Sequence, residues 1–203
     1  MNYFYFFPHI LIMIFLFTYC SLIKTMVNLS RLQFKIGKVN EFQVNGIDIS
    51  NKTSLKDLSA SEIVSLSTVI SQGKLPVSFI VNVNARNPND GTGGYPRTDA
   101  TIKSLKWRLF IDDVETISGD IDKSFEVPGT GEVSDIPLKI NLDLLKFFKG
   151  ESFERVVNLV LAIGGKNRNS SKITLYATPT VSTILGDIKY PGELKIIDKE
   201  FTN

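Results

Sequence analysis

LPVSFIVNVNARNPND, residues 75–90, and SLKWRLFIDDVETISGDI, residues 104–121, decide the fold class. In the first, Val77, Phe79, Val81, Val83 and Ala85 alternate with Ser78, Ile80, Asn82 and Asn84. In the second, Leu105, Trp107, Leu109 and Ile111 alternate with Lys106, Arg108, Phe110 and Asp112. Neighbouring side chains on a strand point to opposite faces, so a period of two makes one apolar and one mostly polar face. That suits an antiparallel sheet packed on one side and wet on the other. Between the runs stand Asn87-Pro88-Asn89-Asp90-Gly91 and Thr92-Gly93-Gly94-Tyr95-Pro96, rich in turn formers. Pro88 has no N–H for a ladder, so the first strand should stop near it.

Upstream, Leu32, Phe34 and Ile36 alternate, and Phe42-Gln43-Val44 and Ile47-Asp48-Ile49 flank Asn45-Gly46, a hairpin signal. Strands are expected near 32–44 and 46–50. Leu58, Ile63, Leu66 and Ile70 then recur near helical spacing; Ser59 with Glu62 fits a capping box and Gly73 a C-terminal cap, predicting a helix over 60–72. Downstream, Val114 to Ser118 leads to a turn at Gly119-Asp120. Phe125 and Val127 precede a turn at Pro128–Gly131, and residues 136–145 alternate with Pro137 marking an edge strand or a strand start. ESFERVVNLVLAI, residues 151–163, reads as a helix with the stripe Phe153, Val156, Val157, Val160 and Ile163, ended by Gly164-Gly165. A strand from Ile173 past Pro179 to Ile184, the turn Tyr190-Pro191-Gly192 and a strand from Leu194 to Phe201 complete the pattern. The expected fold is mainly β: an antiparallel β-sandwich with one or two added helices.

The apolar strand running into Asn87-Pro88-Asn89, the strand ending Trp107-Arg108-Leu109-Phe110-Ile111-Asp112-Asp113, then Thr116-Ile117-Ser118-Gly119 and Phe125-Glu126-Val127-Pro128 together resemble the LEA14-like proteins. These are late-embryogenesis-abundant proteins built on the WHy (water stress and hypersensitive response) domain. The resemblance is best over 75–145 and extends over 32–201. It implies a sandwich of immunoglobulin or fibronectin-III type, with Asn87, Pro88, Asn89, Trp107 and Gly119 as motif residues. It also implies a role in stress or desiccation tolerance, with no catalytic residues and no cofactor.

The chain has 203 residues, 43% hydrophobic and 22% charged, which is globular rather than disordered. A net charge of +2 with scattered Lys and Arg gives no nucleic-acid footprint. Met1 to Tyr19 has no charged side chain, and Ile10 to Phe17 supplies an apolar core of signal-peptide length. The sole cysteine, Cys20, follows it at the position of the modified cysteine in a bacterial lipoprotein. The expected organisation is a signal peptide or anchor over 1–19, a tether over 20–31 and one domain over 32–203. The expected address is the cell envelope, membrane-anchored through lipidated Cys20, the alternative being an uncleaved N-terminal anchor. The expected partners are the membrane and an envelope protein, with the domain itself a monomer. A lone cysteine leaves no internal disulfide, so stability must come from the core.

The only histidine, His9, lies in the targeting segment. With His9 and Cys20 outside the domain, Ser-His-Asp and Cys-His catalysis and the usual zinc and copper sites have no ligands there. The expectation is a non-catalytic binding or protective domain. Asp112-Asp113 and Asp120/Asp122 are the candidates for carboxylate chemistry in the alternative, a carbohydrate-active or ligand-binding sandwich. On a strand Asp112 and Asp113 would diverge, and Asp120 and Asp122 are expected to be solvated. A third reading is a structural envelope subunit offering strand 136–145 as an edge. Asn87, Asn89 and Asp90 could offer oxygens to calcium, but read first as turn residues. Gly91-Thr92-Gly93-Gly94 opens no helix and is no phosphate cradle. Trp107 is expected in the core. Phe110 and Ile80, if exposed and adjacent, would make an apolar patch.

Overall fold

The structure, a computed structural model, describes residues 27–94, 96–164, 173–183 and 186–197. The apolar leader with His9, Cys20, Tyr95, Gly165 and the continuation of the last strand to Phe201 lie outside the described residues. In chain order the strands are β1 (Gln33–Val44), β2 (Ile47–Asp48), β3 (Pro76–Arg86), β4 (Ala100–Ile111), β5 (Val114–Gly119), β6 (Phe125–Val127), β7 (Val133–Asp143), β8 (Ile173–Thr183), β9 (Gly186–Lys189) and β10 (Leu194–Ile196). The helices are α1 (Ala60–Ser71) and α2 (Phe153–Gly164).

One sheet has the order β2-β1-β3-β7; the other has β10-β8-β4-β5, with β6 on β4 and β9 on β8. All pairings are antiparallel. This is the expected β-sandwich with added helices. The two deciding runs face each other across its core: Val77, Phe79, Val81, Val83 and Ala85 from β3, and Leu105, Trp107, Leu109 and Ile111 from β4, are all buried. Ile80 and Phe110 are therefore on the outer faces of different sheets and cannot form one patch.

The sandwich has two unlike ends. At one end Gln33, Arg86 and Val133 are in register, beside the loop 87–99 and the turn 128–132. At the other, Val44, Val77 and Leu142 are in register, and both helices pack there, Leu66 of α1 meeting Val157, Val160 and Leu161 of α2 beside Val44. The chain enters at the loop end. Residues 27–30 form a helical turn with Leu29 buried, so this part of the segment read as a tether packs on the domain.

At the helix end α2 goes beyond its predicted stripe. Val156, Val157, Val160 and Ile163 are buried as the periodicity requires, but so are Leu161, Ala162 and Gly164, leaving Glu154, Arg155 and Asn158 exposed. Residues 160–164 are buried without a break, although Ala162 also borders the open side of the helix. Gly164 is the last described residue of the helix, where the sequence placed its end. A Cβ there would overlap the Phe42 ring, so glycine lets the helix backbone lie on that ring. Phe42 in turn stacks on Phe79 (4.7 Å between centroids, 7° between planes). Val157, Val160 and Leu161 meet Val44, Ile49, Leu58, Leu66 and Leu75 around a void of about 10 Å³. Its wholly apolar lining offers a water no hydrogen bond.

α1 is held differently. Only Leu66 is buried, while Ile63 and Val64 face solvent. Its start is fixed by the predicted capping box: Ser59 Oγ accepts from Glu62 N, and Glu62 accepts from Ser59 N at 2.7 Å. Lys52 Nζ adds an ion pair to Glu62 at 3.1 Å. Just before it, Asp57 accepts from Thr53 N, Thr53 Oγ1 and Ser54 N. Gly73, at φ +74°, closes the helix as predicted, its N–H donating to Ile70 O.

Two outcomes follow from this packing. A Cβ on Gly119 would stand 2.5 Å from Trp107 Cζ2. Gly119→Ala should therefore destabilise the domain by about 1–3 kcal/mol, read as a lower urea midpoint at unchanged slope. The second concerns acid. The Thr53 hydroxyl and the amides of Thr53 and Ser54 hold Asp57 below its ordinary value, and the Ser59 amide with Lys52 does the same for Glu62. Depressed carboxylates contribute stability that is complete above their unfolded values, 3.8 and 4.5, and lost as pH falls through the folded ones. On acidification below about pH 4, residues 52–71 should lose hydrogen-exchange protection before β3 and β4 do. Simultaneous loss throughout would refute this order.

Candidate functional site

The Asn87-Pro88-Asn89 stretch lies where β3 leaves the sheet. Asn87 and Asn89 are 0% and 2% exposed, buried amides whose polar atoms must find partners. Asn87 Nδ2 donates to Thr98 O (2.8 Å) and Val127 O (3.0 Å), and its Oδ1 accepts from Asn89 N (3.2 Å) and Asn89 Nδ2 (2.9 Å). Asn89 Nδ2 also donates to Asn28 O, and its Oδ1 accepts from Arg31 Nη1 at 2.8 Å. Arg31 Nη2 reaches Pro88 O at 3.4 Å. Main-chain bonds Gly131 N to Asn87 O and Thr98 N to Asn89 O complete the knot. Gly129 lies so close that a Cβ on it would stand 2.5 Å from Asn89 O. These side chains join the entering chain, the 87–99 loop and the β6–β7 turn, and their amide oxygens are already occupied. Asp90 is the exposed member. The Thr92 hydroxyl and amide bind its carboxylate and hold it below the usual carboxylate range. That is turn chemistry, and no group of His, Cys, Asp and Glu among the described residues could hold a metal ion.

The candidate carboxylates do not converge. Asp112 and Asp113 are not on a strand: at φ 48° and 65° they form the two-residue turn of the β4–β5 hairpin, with Ile111 and Val114 paired beneath. Such a turn needs left-handed backbone at both central residues, which Asp tolerates. Asp120 lies beyond the six residues of β5, about 20 Å away along the strand. It is not merely solvated, since it accepts from Leu105 N (2.6 Å), Ser104 Oγ (2.7 Å) and Ile121 N (2.8 Å), fastening the chain where β4 is irregular. Asp122 is exposed nearby. Trp107 is buried as expected, but its Nε1 has no hydrogen-bond partner among the described residues.

Two surface features were not foreseen. On the outer face of β4, Arg108 donates from Nε and Nη2 to both Glu193 oxygens (3.0 and 2.6 Å) and from Nη1 to Glu115 (2.7 Å). Its guanidinium also lies 5.4 and 5.5 Å from the ring centroids of Phe110 and Tyr176, themselves edge to face at 5.1 Å. Glu193 is held below its ordinary value by Arg108. Two carboxylates and two rings thus surround a cation supplied by the chain itself. Only Arg108 and Phe110 were adjacent enough in sequence to hint at it. At the helix end an open cleft of about 500 Å³ lies between the Asp112 turn and α2. Phe147, Phe148, Val114 and Leu159 line it, with Lys149 and Arg155 beside Asp112 and Glu151. Arg155 pairs with Glu151 at 3.2 Å. An apolar floor with both charge signs on the rim suits binding an amphipathic group.

No family model matches the chain, and no curated protein matches it. Among solved structures it is similar to a crystal structure of a protein from Archaeoglobus fulgidus, at 12% identity and a TM-score of 0.32. The match covers 82% of this chain and 99% of that one. A likeness at that level bears on neither family nor function.

The amide knot predicts a sharp contrast between variants. Asn87→Leu strands the Thr98 and Val127 carbonyls and the Asn89 amide in the interior, and should cost about 3 kcal/mol or more by chemical denaturation. Asp122→Asn, at an exposed position, should stay within about 0.5 kcal/mol of the parent. Equal effects would mean that the amides are not structural.

Proposed function

We propose that this chain is a non-catalytic, membrane-tethered domain of the LEA14-like kind that protects or binds other molecules under stress such as drying. The observation that carries the reading is the state of its motif residues: the polar atoms of Asn87 and Asn89 are bonded within the protein, and Trp107 and Gly119 pack against each other. The resemblance thus rests on residues that build a scaffold. Separation of Asp112 from Asp120 also fits a surface acting by contact rather than by a carboxylate pair. Protection would come from the polar outer faces, which carry Asn82, Asn84, Lys106, Thr178 and Thr180. Such faces can hydrogen-bond to headgroups or protein surfaces when water is withdrawn.

The edge-strand reading is less well supported. β7 is an edge among the described residues, but Pro137 and exposed Lys139 sit in it, both devices that discourage another strand from adding.

The address is tested by intact mass of the N-terminal peptide from a membrane fraction: a chain beginning at acylated Cys20 is expected. A chain still beginning at Met1 would favour the uncleaved anchor. For the protective role, vesicles carrying the full chain and an entrapped dye should keep more dye through drying and rehydration than bare vesicles do. Equal leakage would remove the protective half of the proposal.

A further inference from the structure

Resting on the tethered reading, we infer which part of the domain meets the bilayer: the loop end, through the rim formed by Val27, residues 90–94 and the turn at Glu132-Val133. The lipid surface is the occupant, and the helical cap with its cleft faces away from it.

The placement follows from where residue 27 sits in the domain. Val27 is tied to the loop end, because Asn28 O accepts from Asn89 and Asn28 Nδ2 donates to Thr98. Six residues separate Cys20 from Val27. At no more than about 3.6 Å per residue, that link reaches at most about 25 Å. β3 runs from the loop end to the helix end in 11 residues, about 33 Å. With the helical cap on the bilayer and the sandwich upright, Val27 would stand higher than the link can reach. With the loop end down, Val27 lies within that reach.

The chemistry of the rim fits a lipid surface met without charge attraction. Val27 is 36% and Val133 50% exposed; the other large exposed hydrophobic residues among the described ones, Ile63, Val64 and Val114, lie at the helix end, which the reach of the link keeps off the bilayer. Between them the loops 90–99 and 128–133 carry one cation, Arg97, against Asp90, Asp99 and Glu132. That balance gives anionic lipids no hold, so contact should come from the tether and the apolar rim. At the far end, the cleft of Phe147, Phe148, Lys149 and Arg155 is left open to the compartment.

The test uses the full chain in phosphatidylcholine vesicles containing a headgroup-attached nitroxide quencher. Thr92→Cys and Val133→Cys report the loop end, Val64→Cys and Lys149→Cys the helix end, each with a fluorophore on the new thiol. The parent chain, with only Cys20, sets the background. Quenching at 92 and 133 should exceed that at 64 and 149 at least threefold, and should persist in high salt. Equal quenching of all four sites, or stronger quenching at 64 and 149, in chains that float with the vesicles would overturn the orientation alone. Loss of the difference in high salt would overturn the apolar contact. Failure of the parent chain to float would overturn the tether and the orientation with it.

Discussion

The Asn87 side chain holds together parts of the protein that share no strand pairing. β3 ends there, the chain makes a long excursion before β4, and the β6–β7 turn comes back to the same place. At this end the main-chain carbonyls of Thr98, in the loop, and Val127, at the last residue of β6, both accept from the Asn87 amide. A buried carbonyl without a donor costs about 1–3 kcal/mol, so the loop could not stay packed without an amide reaching both. Asn87 supplies two donors and uses its oxygen twice more on Asn89. Asn89 then extends the network to Asn28 and Arg31, fixing the point where the polypeptide enters the fold. A fully satisfied network of this kind is rigid because losing any member orphans several others.

The opposite end obeys another rule. Its closure is apolar, with α2 laid against β1 and α1 resting outside on Leu66 and a polar cap. Glycine at 164 lets α2 approach Phe42, which lies on Phe79, so helix, β1 and β3 form one continuous stack. Apolar packing is non-directional and tolerates small rearrangement, whereas the amide knot has one geometry. The two ends are therefore closed by different means, a directional amide network where the chain enters and apolar packing beside the cleft.

Much of this was legible in the chain. Alternation in β3 and β4 named the core faces, Asn45-Gly46 marked a hairpin, and Ser59 with Glu62 placed the start of α1. Each signal is local, readable within a window of a few residues. The failures share the opposite property. The burial of Asn87 and Asn89 depends on Arg31 and Val127, 58 and 40 residues distant from their partners. Turn chemistry was the right reading for Asp90, which bonds only two residues on, and incomplete for the asparagines beside it. Asp112-Asp113 extended an alternating run that gave no sign of where it would stop. The hairpin register decides that, and Asp lacks the turn preference of Asn-Gly. Asp120 looked solvated because its partners, the Leu105 amide and Ser104 hydroxyl, are exposed by an irregularity in another strand. β9 is four residues of weak pattern, GDIK, paired only because β8 overruns it.

The same division bears on where activity can reside. A residue whose polar atoms are all engaged inside the fold cannot also meet a ligand without breaking what it holds. That removes Asn87, Asn89 and Asp120 from the list of contact groups, and the Arg108 guanidinium with them, since both of its carboxylate partners are in place. The groups left to act are the outward Asn, Thr and Lys side chains of the sheets and the mixed lining of the cleft beside α2. They are spread over wide surfaces rather than focused on one atom, an arrangement suited to many weak contacts with large partners. Such contacts gain strength when the domain is held close to its target, because confinement raises the local concentration without any new bond. A short link from a membrane segment to the loop end of the sandwich would supply that confinement and leave the helix end free to meet what lies beyond the lipid.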